Sequence, residues 1–251
     1  MNLSQFETAF TAFCLRGPDE RQSLGSTDNI GTFSSIDVAS SERSLGQAKA
    51  LLTSLSTLET DPDSSPDFKI NQVLYKLYLE RFILEHTVTY NGLTNTEQMP
   101  IAADRIGESV FGLLINDPRP EADRVADLLS RIQHIPEFLV EAQLRLTHPV
   151  ARWAEIEISS TQGLPDLLDT ARSFVVTHDD KQLKSMDSAI EQANRALNAY
   201  VTHVRALPMG TTFKIGMDAA ISVMRSRGIM VEPNQLKVIA SKFLARTRAE
   251  I

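Results

Sequence analysis

The sequence predicts an all-α multi-helix bundle of about eight or nine helices, and three observations carry that prediction. Apolar residues recur three or four apart through most of the 251 residues. Alternating runs of Val, Ile and Thr, which would mark half-buried strands, are sparse. The links between the later helical patterns are short, which favours antiparallel neighbours.

The first segment, Leu3 to Leu15, places Phe6, Phe10 and Phe13 on one face of a short helix. Residues 16–41 are rich in Gly, Ser, Asp and Thr and predict an irregular crossing. A long structureless loop is unusual in a compact domain. It is therefore expected to lie on the helices through Leu24, Ile30, Phe33 and Ile36. A helix is expected from Ser41 to Leu58, with Leu45, Ala48, Leu51, Leu52, Leu55 and Leu58 inward. Asp61-Pro62-Asp63-Ser64-Ser65-Pro66 ends it, because proline punctuates helices.

The next helix spans about 67–90, with Ile70, Leu74, Leu77, Leu79, Phe82 and Ile83 inward and Asn91-Gly92 as its stop. Helical patterns follow at about 101–115, 119–146, 149–177, 179–206, 213–227 and 233–250. Thr147-His148-Pro149, His178-Asp179-Asp180 and Leu207-Pro208-Met209-Gly210 separate the later ones. Pro136 lies within one pattern and is expected to kink or divide it near Ile135, because proline lacks the amide donor. The whole is read as one domain, 1–251, with a single core and a looser N-terminal portion over 1–66.

Composition excludes several functions. A net charge of −7 disfavours a general nucleic-acid surface, and no run reaches the ~18 apolar residues of a membrane span. Neither nucleic acid nor membrane is an expected partner; the cytoplasm is the expected compartment, in the absence of a secretory leader pattern. Cys14 is the single cysteine, so an internal disulfide or thiolate-rich metal site is excluded. It is expected to be a buried, inert thiol.

The catalytic motifs are equally informative. Helical zinc sites need two ligands one turn apart, as in H-E-x-x-H. His86, His134, His148, His178 and His203 have no such spacing, and Glu85-His86 is the only Glu-His step. No G-x-S-x-G elbow or phosphate loop occurs. Glu137 and Glu141, one helical turn apart, and Glu155 read as solvated carboxylates, while Glu157 sits on a different face from Glu155. No catalytic residue, metal ligand or cofactor site is expected. Arg225, Arg227, Lys237, Lys242, Arg246 and Arg248 make the C-terminus locally basic, a pattern of solvated helix faces or of a surface for an acidic partner.

Three stretches in chain order carry a resemblance. They are Arg131–Ala142 followed by Leu144–Pro149; Trp153–Ile158 with Gly163 and Leu167-Leu168; and Leu207-Pro208, Ile215–Asp218 and Asn234–Leu236. Together they resemble the N-terminal part of the bacterial family called domain of unknown function 885. That resemblance implies a helical, peptidase-like ancestry related to H-E-x-x-H zinc enzymes. Members are usually about twice as long, and the zinc-binding part has no counterpart here, so no catalytic residue carries over. The expected function is a non-catalytic binding or scaffold domain. The alternatives are a fragment or half-enzyme of a zinc metallopeptidase completed by a C-terminal region or separate chain, and a structural or oligomerising helical protein. The expected partners are another protein, a second copy or a peptide-like ligand. A pocket is expected near His148, Trp153 and Phe213. Glu250-Ile251 follows a helical pattern without a stop signal.

Overall fold

The computed structural model describes residues 2–58, 66–90, 92–175 and 180–250. Its described residues form eleven helices and one two-stranded hairpin. The helices are α1 (Leu3–Cys14), α2 (Pro18–Ser23), α3 (Val38–Leu58), α4 (Pro66–Thr87), α5 (Asn95–Gln98), α6 (Ala102–Ile115), α7 (Glu121–Arg145), α8 (Ala151–Val175), α9 (Asp180–Ala206), α10 (Met217–Ser226) and α11 (Pro233–Glu250). The strands, β1 (Thr89–Tyr90) and β2 (Leu93–Thr94), pair antiparallel with Thr89 opposite Thr94.

Buried apolar side chains fall into two clusters rather than one continuous core. The larger joins α6, α7, α8 and α9 through residues such as Ile106, Leu113, Leu128, Ile132, Leu139 and Leu168. Helix α9 packs on both α7 and α8, and α8 also packs on α6. The smaller is an aromatic layer of α1, α3 and α4. There Phe6, Phe13, Leu51, Leu55, Leu79 and Phe82 are buried. Phe13 meets Phe82 edge-on at 5.1 Å, and the Arg16 guanidinium lies 4.9 Å from both ring centroids. Such contacts favour opposed quadrupoles and a cation on the ring face.

Several sequence expectations need correction. The 16–41 segment is not wholly irregular: α2 forms at Pro18, which suits a helix start because its amide donor is not needed there. Ile30 and Ile36 are buried and Phe33 stacks on Phe138 at 4.6 Å, but Leu24 is exposed. Helix α3 begins at Val38 rather than Ser41, because Asp37 caps it: its Oδ1 accepts the Ser40 amide at 2.7 Å. Ile70 and Leu74 of α4 are also exposed.

Helix α4 ends at Thr87, and Gly92, at φ 82°, sits in the β1–β2 turn, so the Asn91-Gly92 step does not stop the helix; Asn91 itself lies outside the described residues. Helix α7 runs unbroken through Pro136. Its buried face (Ile132, Ile135, Phe138, Leu139) compensates for the missing amide donor. His178 and Asp179 lie outside the described residues.

Candidate functional site: a polar cleft beside α6

The α6–α9 body has a charged group at its centre that sequence periodicity did not mark. Glu157 projects from α8 and is buried. Its Oε1 accepts the Ala103 amide at 2.9 Å and the Tyr200 hydroxyl at 3.0 Å. Ile101, the α6 N-cap residue, offers no side-chain cap, so Glu157 supplies one from a neighbouring helix. Unsatisfied amide donors and the helix dipole both favour an anion there. Burial nevertheless pushes the Glu157 carboxyl above the ordinary glutamate range, and it pushes the Tyr200 phenol upward too. Arg145 lies close enough for its charge to be felt by Tyr200 and Glu157; burial brings it down to about 10. Arg145 Nε also donates to the Thr96 carbonyl at 3.0 Å, while the Thr147 and His148 amides reach the Glu97 carbonyl. The end of α7 is thereby fastened to α5.

A second polar core lies where the 16–41 crossing meets α6 and α7. Arg131 of α7 is fully buried. Its Nη1 donates to Asp19 Oδ1 at 2.6 Å and its Nε to the Ile30 carbonyl at 2.6 Å. Asp19 is held in turn by the Ser34 amide. Gln22 crosses to the Ser109 carbonyl at 2.9 Å, and a Cβ on Gly112 would stand 2.7 Å from Gln22 Nε2. Gly112 therefore leaves room for the Gln22 side chain against α6. Arg119 ties Asp117 and Asp127 together at 2.6 and 2.7 Å.

These ties frame a cleft of about 370 Å³ between α2, the 25–30 segment and α6. Its lining includes Asp19, Ser26, Thr27, Arg105, Glu108 and Asp117. Asp19 and Asp117 are already paired with arginines. Arg105 is half-buried, and its side chain has no hydrogen bond or ion pair among the described residues; Glu108 has none either. Among the described residues the cleft thus presents Arg105 as an available cation and Glu108 as an available anion, three residues apart on one helix.

His148, Trp153 and Phe213, the residues expected near a pocket, differ in exposure. His148 is exposed and Phe213 is 57% exposed. Trp153 is half-buried, edge-on to Tyr90 at 5.5 Å. Their chain segments do run side by side, because Val150 and Gly210 form an isolated parallel bridge.

The carboxylates read as solvated divide likewise. Glu137 is exposed and Glu155 pairs with Arg152 on the surface, whereas Glu141 accepts the Ser35 hydroxyl and Ile36 amide, each at 2.9 Å. His86 stacks on Phe82 with centroids 4.0 Å apart, and its Nδ1 meets the Phe82 carbonyl at 2.8 Å. Cys14 is half-buried, and desolvation raises its thiol. Among the described residues, no group of three or more His, Cys, Asp or Glu is placed to hold a metal ion. No described helix is long and apolar enough to cross a membrane.

No family model and no curated protein matches the chain. Its fold is similar to that of a solved protein classed as a lipoprotein of unknown function from Shewanella oneidensis. The TM-score is 0.70 and the identity 18%, over 82% of this chain and 37% of that one. The chain thus spans little more than a third of that protein's length. At this identity the likeness concerns the fold alone.

Proposed function

We propose that this chain is a non-catalytic binding domain whose ligand seat is the α2–α6 cleft. The observation that carries the reading is Arg105, a half-buried residue on the cleft wall whose side chain has no hydrogen bond or ion pair among the described residues. A guanidinium without a counter-ion is well matched by a carboxylate that reaches it with paired hydrogen bonds. Glu108 stands one turn away to receive an ammonium group. That complement suits a short peptide or an amino acid, with carboxylate toward Arg105 and amine toward Glu108. The cleft volume falls within the range of small-molecule sites.

Calorimetric titration with free alanine, dialanine and tetra-alanine tests the reading. Saturable binding of one of them is expected, lost by at least about tenfold in Arg105→Gln, a change of about 1.4 kcal/mol. Lys184→Ala, on the separate α9 groove, should bind as the parent does. Absence of binding by the parent, or equal binding by Arg105→Gln, overturns the proposal.

A second reading is favoured by the length of the structural neighbour, which extends well beyond the matched 37%. In it, the chain is the helical portion of a peptidase-like protein, as the resemblance to domain of unknown function 885 implies. Zinc content and peptide hydrolysis that appear only on mixing with a complementary chain would favour this reading.

A further inference from the structure

The net charge of −7 averages two regions of opposite sign. Seven Lys and Arg residues but only three Asp and Glu follow residue 206, so this stretch carries +4 while the preceding residues carry −11. Within it, α10 and α11 bury none of their residues. An isolated helix of 18 residues is marginal in water, since its stability ordinarily comes from packing one face.

The face that α11 leaves open is chemically specific. Leu236, Ile239, Ala240, Phe243 and Leu244 recur at three- and four-residue spacing, forming one stripe about 100° wide or more. Leu236, Ile239, Phe243 and Leu244 are all exposed, Phe243 at 61%. Lys237 and Arg248 flank one edge of the stripe; Lys242 and Arg246 flank the other. Arg246 lies over the Phe243 ring at 5.3 Å and near Glu250 at 3.7 Å, both at the surface.

We propose that α11 docks this chain onto an anionic lipid surface. Basic side chains on both edges of an apolar stripe can extend their heads to lipid phosphates while their methylene stems and the stripe enter the acyl boundary. The arrangement opposes face-to-face pairing of two α11 helices, whose lysines and arginines would repel. It also differs from a nucleic-acid surface, where exposed Leu, Ile and Phe would find little to cover them. The acidic body would face away from the membrane, so the molecule is oriented by its own charge asymmetry. Adsorption of this kind requires no spanning segment.

Sedimentation of the full chain with vesicles tests the proposal. Vesicles of phosphatidylglycerol and phosphatidylcholine should retain the chain about tenfold better than phosphatidylcholine alone, and about 0.5 M salt should release it. Phe243→Glu and the double variant Lys242→Glu/Arg246→Glu should each abolish retention without moving the thermal midpoint, because their sites are exposed. Equal retention on neutral vesicles, or none on anionic ones, overturns the proposal. So does light scattering that shows a stable dimer dissociated by Phe243→Glu, since a second copy would then be the occupant. Arg105→Gln should leave retention unchanged, which separates this surface from the cleft.

Discussion

The α6–α9 body and the α1–α3–α4 layer bury apolar surface in different ways, and burial shifts one titratable group in each in opposite directions. The body is largely aliphatic, with ionisable groups enclosed at its centre: Glu157 caps α6, and Arg131 pairs with Asp19. The layer is aromatic, its polar groups lie at the margin, and His86 stacks against its edge. Burying charge makes a region depend on its partners; burying rings makes it depend on shape. The difference also bears on position: the body's buried ion pair anchors the 16–41 crossing, which forms one wall of the cleft.

Breaking the buried Asp19–Arg131 pair should cost the most stability. Asp19→Ala leaves Arg131 charged and without its counter-ion, a loss of about 3–5 kcal/mol in chemical denaturation. The double variant Asp19→Ala/Arg131→Met should recover much of that loss. If the double variant is no more stable than the single, the charge is not the cause, and the hydrogen bond to Ile30 matters more.

Burial raises the Glu157 carboxyl, so the folded chain keeps that proton to higher pH than the unfolded chain does. Its contribution is most favourable at low pH and declines as pH rises through the interval above the ordinary glutamate value. His86 has the opposite sign. Burial lowers it from 6.5, so the unfolded chain takes up a proton that the folded layer resists, and stability falls as pH drops below about 6.5. Urea midpoints measured across this range should lose the first slope in Glu157→Gln and the second in His86→Phe. Parallel slopes in both variants and the parent would show that neither group governs the response.

The smallest effect concerns the cap of α3. Asp37→Ala should cost about 0.5–2 kcal/mol near neutral pH, by removing the acceptor of the Ser40 amide. Hydrogen bonds from Ser35 and Ser40 hold the Asp37 carboxyl down at about 2. Its contribution is therefore present above the ordinary value near 3.8 and is lost as pH falls toward 2. Amide exchange at the start of α3 measures both changes; unchanged exchange in Asp37→Ala would remove the cap from the account.

Helical periodicity was legible in the longer helices that carry their own apolar spacing, and not in α2 or α5. Leu128, Ile132, Ile135 and Leu139 announce α7 without knowledge of its neighbours, and Phe6, Phe10 and Phe13 announce α1. The cleft was far less legible. Arg105 and Glu108 look like any charged pair on a helix surface until the 19–30 segment is laid beside them. Glu157 carries no sign in sequence of its burial, because its donors come from residue 103 and residue 200. Only its place opposite Glu155, on the other side of α8, hinted at a separate environment.

Local spacing in the chain was enough for the all-α class, the approximate helix order and the absence of a local H-E-x-x-H or phosphate-loop motif, since these depend on separations of a few residues. The tertiary structure decided that buried apolar residues form two clusters, that Asp19 meets Arg131 across 112 positions, and that Arg105 faces a cleft. Those facts depend on which helix faces are covered and which charges lose water. Such burial is set by contacts between residues far apart in the chain, which no local spacing records.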